Sequence, residues 1–507
     1  MKQLNVKAND TIPTVITLPF VVEVVVFMCG AVDMVLELVG SRLLAPYFGN
    51  SIFVWTSLIG VMLGFLALGN FLGGRLADRH LSGRVLFWIL VAASIAVSII
   101  AFSEGLVIPA LAQGSALKLE AIASAVALFA IPSTVLGMVA PYCIRLKMHA
   151  ISDSGSTVGS LYALSTLGSI IGTFAAGFWL MALLGSHAIV LWIAAVPAVL
   201  SLLFLAPIDP KRLAAASAAV ILLAAAVLFS RPALDSFDTQ YERYMIRRGT
   251  DTRNGRPVIG VSPQLDYGSE STVYADNGEP FPVAYFDYFD LALRLSPQVH
   301  RTLLIGGGAF AYPRHQFALY PKSSTDVVEI DPKLVDVART SFFLKDDPRQ
   351  RIIIEDGRTY LDKATTSYDV ILLDAFKSKG SVPYQLTTRE SMKLCYDRLT
   401  SHGVLAMNLV AALDGPGDRF PWAEYVTLKS VFPHVEVFVV EQGSTDPSVV
   451  QNISILAAKD SSVDLEAAVR RVAPDLAVRR VSPPKSRTQV PILTDDFAPV
   501  DQYLIDL

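Results

Sequence analysis

Seven apolar runs crowd the first 230 residues of this chain, at 12–40, 52–75, 85–102, 119–143, 158–183, 187–205 and 213–229. A helix crosses the hydrocarbon core of a bilayer with about 17 to 25 residues, and each run reaches that length. Such runs leave few choices of fold, because in lipid every backbone N–H and C=O must pair inside its own segment. Composition agrees: 52% of the 507 residues are hydrophobic and only 17% are charged, too apolar for an ordinary soluble enzyme. The expectation is a multi-pass α-helical membrane domain over 1–230, placed in the cell membrane. No short apolar core with a cleavage site opens the chain, so the first run reads as a retained span.

Small residues four apart (Gly60/Gly64, Gly69/Gly73, Gly168/Gly172) are expected to let helices approach closely. Glu23, Asp33 and Glu37 lie in or beside the first run, within an arc of about 80° on a helix. Acids at that depth are costly, so they line a cavity or pair, with Arg42 or Arg75 as candidate partners. Arg75, Arg79 and Arg84 follow the second run, Arg145 and Lys147 the fourth, and Lys211 and Arg212 the sixth. The positive-inside rule makes those loops cytoplasmic. Seven spans would then put the C-terminal half outside, whereas six, with the short run 213–229 not crossing fully, would put it inside.

After Arg231-Pro232 the texture changes. Short alternating segments (244–246, 257–261, 271–274) broken by Gly, Asn and Asp predict a small antiparallel β unit within 231–298. Asp276-Asn-Gly278 reads as its hairpin turn, and 283–295 has helical periodicity. From 299 to 507, apolar strands at 302–305, 325–330, 351–354, 369–373, 404–408, 435–440 and 453–458 alternate with helices. That pattern predicts a doubly wound, Rossmann-like α/β domain of class I methyltransferase type.

Its strand ends carry the chemistry. Gly306-Gly307-Gly308 would bring bare backbone against a ligand. Glu329 and Asp331 stand about twenty residues on, where an acid holds ribose hydroxyls. Asp356-Gly357 ends the third strand and could take an adenine amino group. The glycine turn lacks Lys-Ser/Thr and a further G-x-x-G step, so a nucleoside with an uncharged linkage suits it better than phosphate. Asp374 ends the fourth strand, at the mouth of the site. A sulfonium donor leaves as a neutral thioether, so the reaction needs an amine held in line and a carboxylate to take its proton. Tyr285, Tyr288 and Tyr384 are candidate walls of an acceptor pocket, with core packing the alternative for each. His315 and His402 have no second ligand at metal spacing, and Cys29, Cys143 and Cys395 are widely spaced, so neither a metal nor a disulfide framework is expected. The net charge of −4 argues against nucleic acid as a partner.

These motifs, with Val328-Glu-Ile-Asp-Pro332 and Glu355-Asp-Gly357, resemble the spermidine synthase (polyamine aminopropyltransferase) family. Glu37-Leu-Val-Gly-Ser-Arg-Leu-Leu-Ala-Pro-Tyr-Phe-Gly49, Gly73-Gly-Arg-Leu-Ala-Asp78 and Leu493-Thr-Asp-Asp-Phe-Ala-Pro-Val-Asp501 are similar to its bacterial branch fused to transmembrane helices. The resemblance implies that Glu329 holds the ribose of decarboxylated S-adenosylmethionine, Asp356 its adenine, and that Asp374 serves the attacking amine. Two departures stand out. Ala309-Phe310 replace the Asp-Gly that continues the family's glycine turn, and Lys377 and Lys379 stand where a second aspartate would greet a polyamine. Lysines there suit an anionic acceptor such as a lipid head group, with Lys377 touching it. Three functions follow: an aminopropyltransferase acting on a small amine; a methyl- or alkyltransferase using S-adenosylmethionine on a membrane-presented substrate; and a nucleoside-gated transporter or sensor without turnover. A homodimer is compatible with each.

Overall fold

The computed structural model describes residues 20–48, 51–112, 117–148, 154–204, 236–239, 241–251, 254–263, 271–276, 282–376, 382–415, 417–440, 448–484 and 489–504. The chain divides into two compact units, Met1–Leu234 and Asp235–Leu507.

The first unit is helical: α1 (Val21–Phe48), α2 (Ile52–Arg79), α3 (Gly83–Leu111), α4 (Leu117–Gly137), α5 (Val139–Lys147), α6 (Ser154–Ala175), α7 (Met181–Leu183) and α8 (Ser186–Leu202). A π turn, Ala176–Leu180, joins α6 to α7. Four stretches are long and apolar enough to cross a membrane, Ile52–Arg79, Gly83–Leu111, Lys118–Lys147 and Ser154–Leu180, with Ser186–Leu202 shorter. The expected count of seven spans is therefore not supported, and the run at 213–229 lies outside the described residues.

Of the three glycine pairs, two seat helices against each other. A Cβ on Gly69 or Gly73 would collide with the backbone of Thr134 or Met138, and one on Gly168 or Gly172 with Phe27 or Ala31. Gly60 and Gly64 do not behave so: an added Cβ meets no described atom within 4 Å. One of the three acids has a partner other than the two expected. Glu23 is paired with Lys147 of α5, rather than with Arg42 or Arg75, and the Arg75 guanidinium lies over the Phe71 ring.

The second unit opens with an antiparallel sheet of β1 (Ser236–Asp238), β2 (Arg243–Thr250), β3 (Pro257–Pro263) and β4 (Ser271–Tyr274), paired in that order. Asn277-Gly278 of the expected hairpin lie outside the described residues. The helix Phe286–Leu295 leads into β5 (Arg301–Ile305), β6 (Ser324–Glu329), β7 (Gln350–Ile354), β8 (Tyr368–Leu373), β9 (Leu399–Ala411), β10 (His434–Val439), β11 (Gln451–Ala458) and β12 (Arg480–Val481). These form one sheet of order β12-β10-β11-β9-β8-β5-β6-β7.

The five strands β7-β6-β5-β8-β9 run parallel, while β11 is inserted antiparallel between β9 and β10. The sheet is thus mixed, a feature that strand periodicity does not carry. Both faces are buried: Leu303, Ile305, Ile371 and Leu373 enter one core, and Leu304, Val327, Val370 and Leu372 the other. Strands covered on both sides read as continuous apolar runs, which is why β5 and β8 stood out in the sequence. Strand order reverses between β5 and β8, and such a switch point opens a crevice at the carboxyl ends of the strands.

Candidate active site

The switch point collects the acids and glycines that the sequence singled out. The Asp374 N–H donates to the Ile305 carbonyl (2.8 Å) and the Gly306 N–H to that of Val328 (2.9 Å), so the ladders of β5 run on into both turns. Gly306 has φ +97°, and a Cβ there would collide with the Asp374 carbonyl oxygen; only glycine fits. Gly307 lies under the Phe310 ring, 2.6 Å from where a Cβ would stand. Phe310 itself is left-handed, φ 56°, a conformation costly for a bulky residue. It holds because its ring is buried with Ala309 in the core shared with Tyr244 and Phe289. Ala309-Phe310 thus close the turn with packing and add no carboxylate to it.

Glu329 and the glycine turn are one unit. Glu329 Oε2 accepts the N–H groups of Gly307 (2.8 Å) and Gly308 (3.2 Å), and Oε1 accepts that of Asp331 (2.9 Å). Burial pushes its pKa up, and these three donors pull it back. Oε2 is filled by two donors, so Oε1 is the oxygen with room for a hydroxyl. Asp331 caps the helix Pro332–Ser341, its Oδ1 accepting the Lys333 N–H (3.0 Å). Asp356 similarly caps Gly357–Lys363, Oδ1 accepting the Thr359 N–H (2.9 Å), while Oδ2 faces the Gln385 amide at 3.5 Å. Gly357 is pressed against β5: a Cβ would stand 2.5 Å from Ile305 Cγ2.

Asp374 has both oxygens occupied by donors, the Asn408 amide to Oδ1 (3.0 Å) and the Tyr285 hydroxyl to Oδ2 (2.9 Å). Burial raises its pKa to about 6, against the pull of Asn408 and Tyr285. A carboxylate poised there is ionised at neutral pH and still basic enough to receive a proton. Each oxygen keeps a second lone pair for an amine.

Of the three tyrosines offered as pocket walls, Tyr285 is brought to Asp374. Tyr288 is not: it is buried with its hydroxyl on the Val439 carbonyl (2.9 Å) and belongs to the core. Tyr384 is exposed on the turn Tyr384–Leu386, and Lys377 and Lys379 lie outside the described residues. His315 Nε2 donates to Asp290 (2.8 Å) and His402 Nδ1 to Asp460 (2.6 Å).

Asn408 was not foreseen. Its signal was present, as the lone polar residue in the buried run Val404–Ala411. Its meaning needed the register that pairs Leu373 with Met407 and so sets Asp374 beside it.

Residues 289–410 match the family model described as spermine/spermidine synthase domain. The chain is 28% identical over 324 residues to a probable polyamine aminopropyl transferase of Bifidobacterium longum, covering 59% of this chain and 70% of that protein. It is 29% identical over 230 residues to a polyamine aminopropyltransferase of Vibrio vulnificus, covering 43% of this chain and 75% of that one. A probable spermidine synthase structure from Corynebacterium glutamicum covers 52% of this chain and 97% of its own, at 21% identity and TM-score 0.42, too loose a likeness to carry an argument. The sequence relatives make the chain a transferase.

Proposed function

We propose that the second unit transfers an aminopropyl group from decarboxylated S-adenosylmethionine to an amine, releasing methylthioadenosine. The observation that supports this best is Asp374, held at the switch point by Tyr285 and Asn408 on its two oxygens. The donor's sulfonium supplies an electrophilic carbon and a neutral thioether leaving group. Glu329 Oε1 would take the ribose hydroxyls and Asp356 the adenine, with the glycine turn giving close backbone approach. Asp374 orients the amine; as the new C–N bond forms and the C–S bond breaks, its carboxylate receives the amine proton. Two held donors keep it from turning away from the nucleophile.

A second reading, methyl or alkyl transfer from S-adenosylmethionine to a membrane-presented acceptor, draws on Ala309 and Phe310. Both are apolar and buried, so the glycine turn brings no acid that would repel the α-carboxylate by which S-adenosylmethionine differs from its decarboxylated form. Binding without turnover has no comparable observation behind it. The first unit is proposed to sit in the bilayer, with Leu63, Phe71, Ile99, Ile131, Phe178 and Trp192 exposed on its helices as a lipid-facing surface would have them. The cytosolic origin of the donor puts the site on the cytosolic side.

The experiment takes protein solubilised from alkaline-washed membranes and supplies labelled donor, decarboxylated or intact, with putrescine, spermidine or membrane lipid. Methylthioadenosine release supports aminopropyl transfer, and adenosylhomocysteine release the second reading. Asp374→Asn should lower kcat by about a hundredfold or more with donor binding retained. Neither product under any condition, or full turnover by Asp374→Asn, would refute the assignment.

A further inference from the structure

The C-terminal signature Leu493–Asp501 has no place in the chemistry above, yet it is tied to the donor side of the site. Leu493 is fully buried, its N–H on Thr427 Oγ1 (2.9 Å) and its carbonyl accepting the Arg389 N–H (2.8 Å). Thr494 and Phe497 exchange backbone hydrogen bonds, both 2.9 Å, making a tight turn that carries Asp495 and Asp496. The two acids then part. Both are exposed, but Asp495 has partners on two other segments, at Arg358 and at Thr388–Glu390.

Asp495 Oδ2 accepts from Arg358 Nη2 (2.9 Å) and Oδ1 from Thr388 Oγ1 (2.6 Å), while its own N–H donates to Glu390 Oε2 (3.0 Å). Arg358 also donates through Nη1 to Thr388 Oγ1 (3.2 Å) and the Gln385 carbonyl (3.4 Å). Arg358 stands two residues after Asp356. Gln385, whose amide faces Asp356 Oδ2, and Thr388 lie on the segment that follows Val382. The Asp356 turn and the Tyr384–Thr388 segment therefore share one carboxylate, 137 residues from Arg358 in sequence.

We infer that Asp495 is a positioning residue for nucleoside binding: through Arg358 and Thr388 it sets the spacing between Asp356 and Gln385. The inference rests on the sulfonium-nucleoside reading above. Asp495 is 49% exposed and Arg358 22%, so plain charge attraction is screened and adds little to stability. What the shared carboxylate contributes is geometry, since its two oxygens address two segments at once.

The test uses the full chain and methylthioadenosine as probe. Calorimetry gives its Kd, and steady-state assays give donor KM and kcat, for wild type, Asp495→Asn, Asp495→Glu and Asp496→Asn. For Asp495→Asn we expect Kd and donor KM to rise by about tenfold, kcat to stay within about twofold, partial rescue by Asp495→Glu, and no change in Asp496→Asn. An unmoved Kd in Asp495→Asn, or losses of Tm and kcat with KM unmoved, would overturn the inference and leave the donor reading standing. No probe binding by wild type would overturn both. If Asp495→Asn does not fold, Arg358→Lys, which keeps the charge and loses the fork, should show the same rise in KM, and an unmoved KM there is equally decisive against it.

Discussion

Replacing Tyr285 by Phe removes the hydrogen bond that its hydroxyl gives to Asp374, the carboxylate proposed to take the amine proton. The ring is buried and packs edge-on against Phe286 and Phe289, centroids 5.1 and 5.3 Å away, so Phe keeps the packing and removes only the hydroxyl. That hydroxyl donates to Asp374 Oδ2 at 2.9 Å. A hydrogen bond to a charged acceptor contributes roughly 1.5–3 kcal/mol, and about 1.4 kcal/mol corresponds to one pKa unit. The donor stabilises the ionised form, so its loss raises the carboxyl further, from about 6 to roughly 7–8. A proton acceptor must be ionised, so activity rises with pH through this value. The acid limb of kcat/KM should therefore move up by roughly one to two pH units in Tyr285→Phe. Near pH 6.5 the variant should be slower by about tenfold, and near pH 9 the two should converge. Methylthioadenosine release measured from pH 5 to 9 reads both limbs, and taking the ratio to wild type at each pH cancels titration of the amine itself. An acid limb that stays in place, or a deficit constant across pH, would refute the role given to Tyr285.

Glu329→Gln should weaken methylthioadenosine binding by about tenfold or more, because an amide nitrogen cannot accept and one of the buried N–H groups of Gly307, Gly308 or Asp331 loses its partner, at roughly 1–3 kcal/mol; calorimetry with unchanged affinity would count against the unit drawn here. In the first unit, Gly168→Ala should lower the thermal midpoint of the detergent-solubilised protein, since the new Cβ meets the Phe27 backbone and overpacking costs about 1–3 kcal/mol. Gly60→Ala, with no described atom within reach of its Cβ and a better helix former in place, should not lower the midpoint.

Much of the site was legible in the sequence because its residues sit at strand ends, and strand ends are punctuated. Gly306, Glu329 and Asp374 each close an apolar run that is buried on both faces, and Asp356 follows the half-exposed apolar edge strand β7, so period and punctuation alone locate them. The helical character of the first unit was legible for the same reason, since long apolar runs allow little else. Its span count was less so. The apolar run 187–205 holds a helix of only 17 residues, Ser186–Leu202, because hydropathy does not mark where a helix stops.

Pairing across the fold was not legible, because partners meet through register and crossing rather than spacing. Periodicity marks β11 as a strand but not its insertion, antiparallel, between β9 and β10. Asn408 reaches Asp374 only once β9 is laid beside β8. Tyr285 reaches it from a helix end 89 residues earlier, whereas Tyr288, one turn on, faces the core instead. Glycine pairs show the same limit: Gly69/Gly73 and Gly60/Gly64 lie on one helix at one spacing, yet among the described residues only the first meets a neighbour. The sequence by itself determined which groups stand at the carboxyl edge of the sheet. Only the tertiary structure decided which of them hold one another, since a hydrogen bond depends on ångström distances that local patterning does not carry.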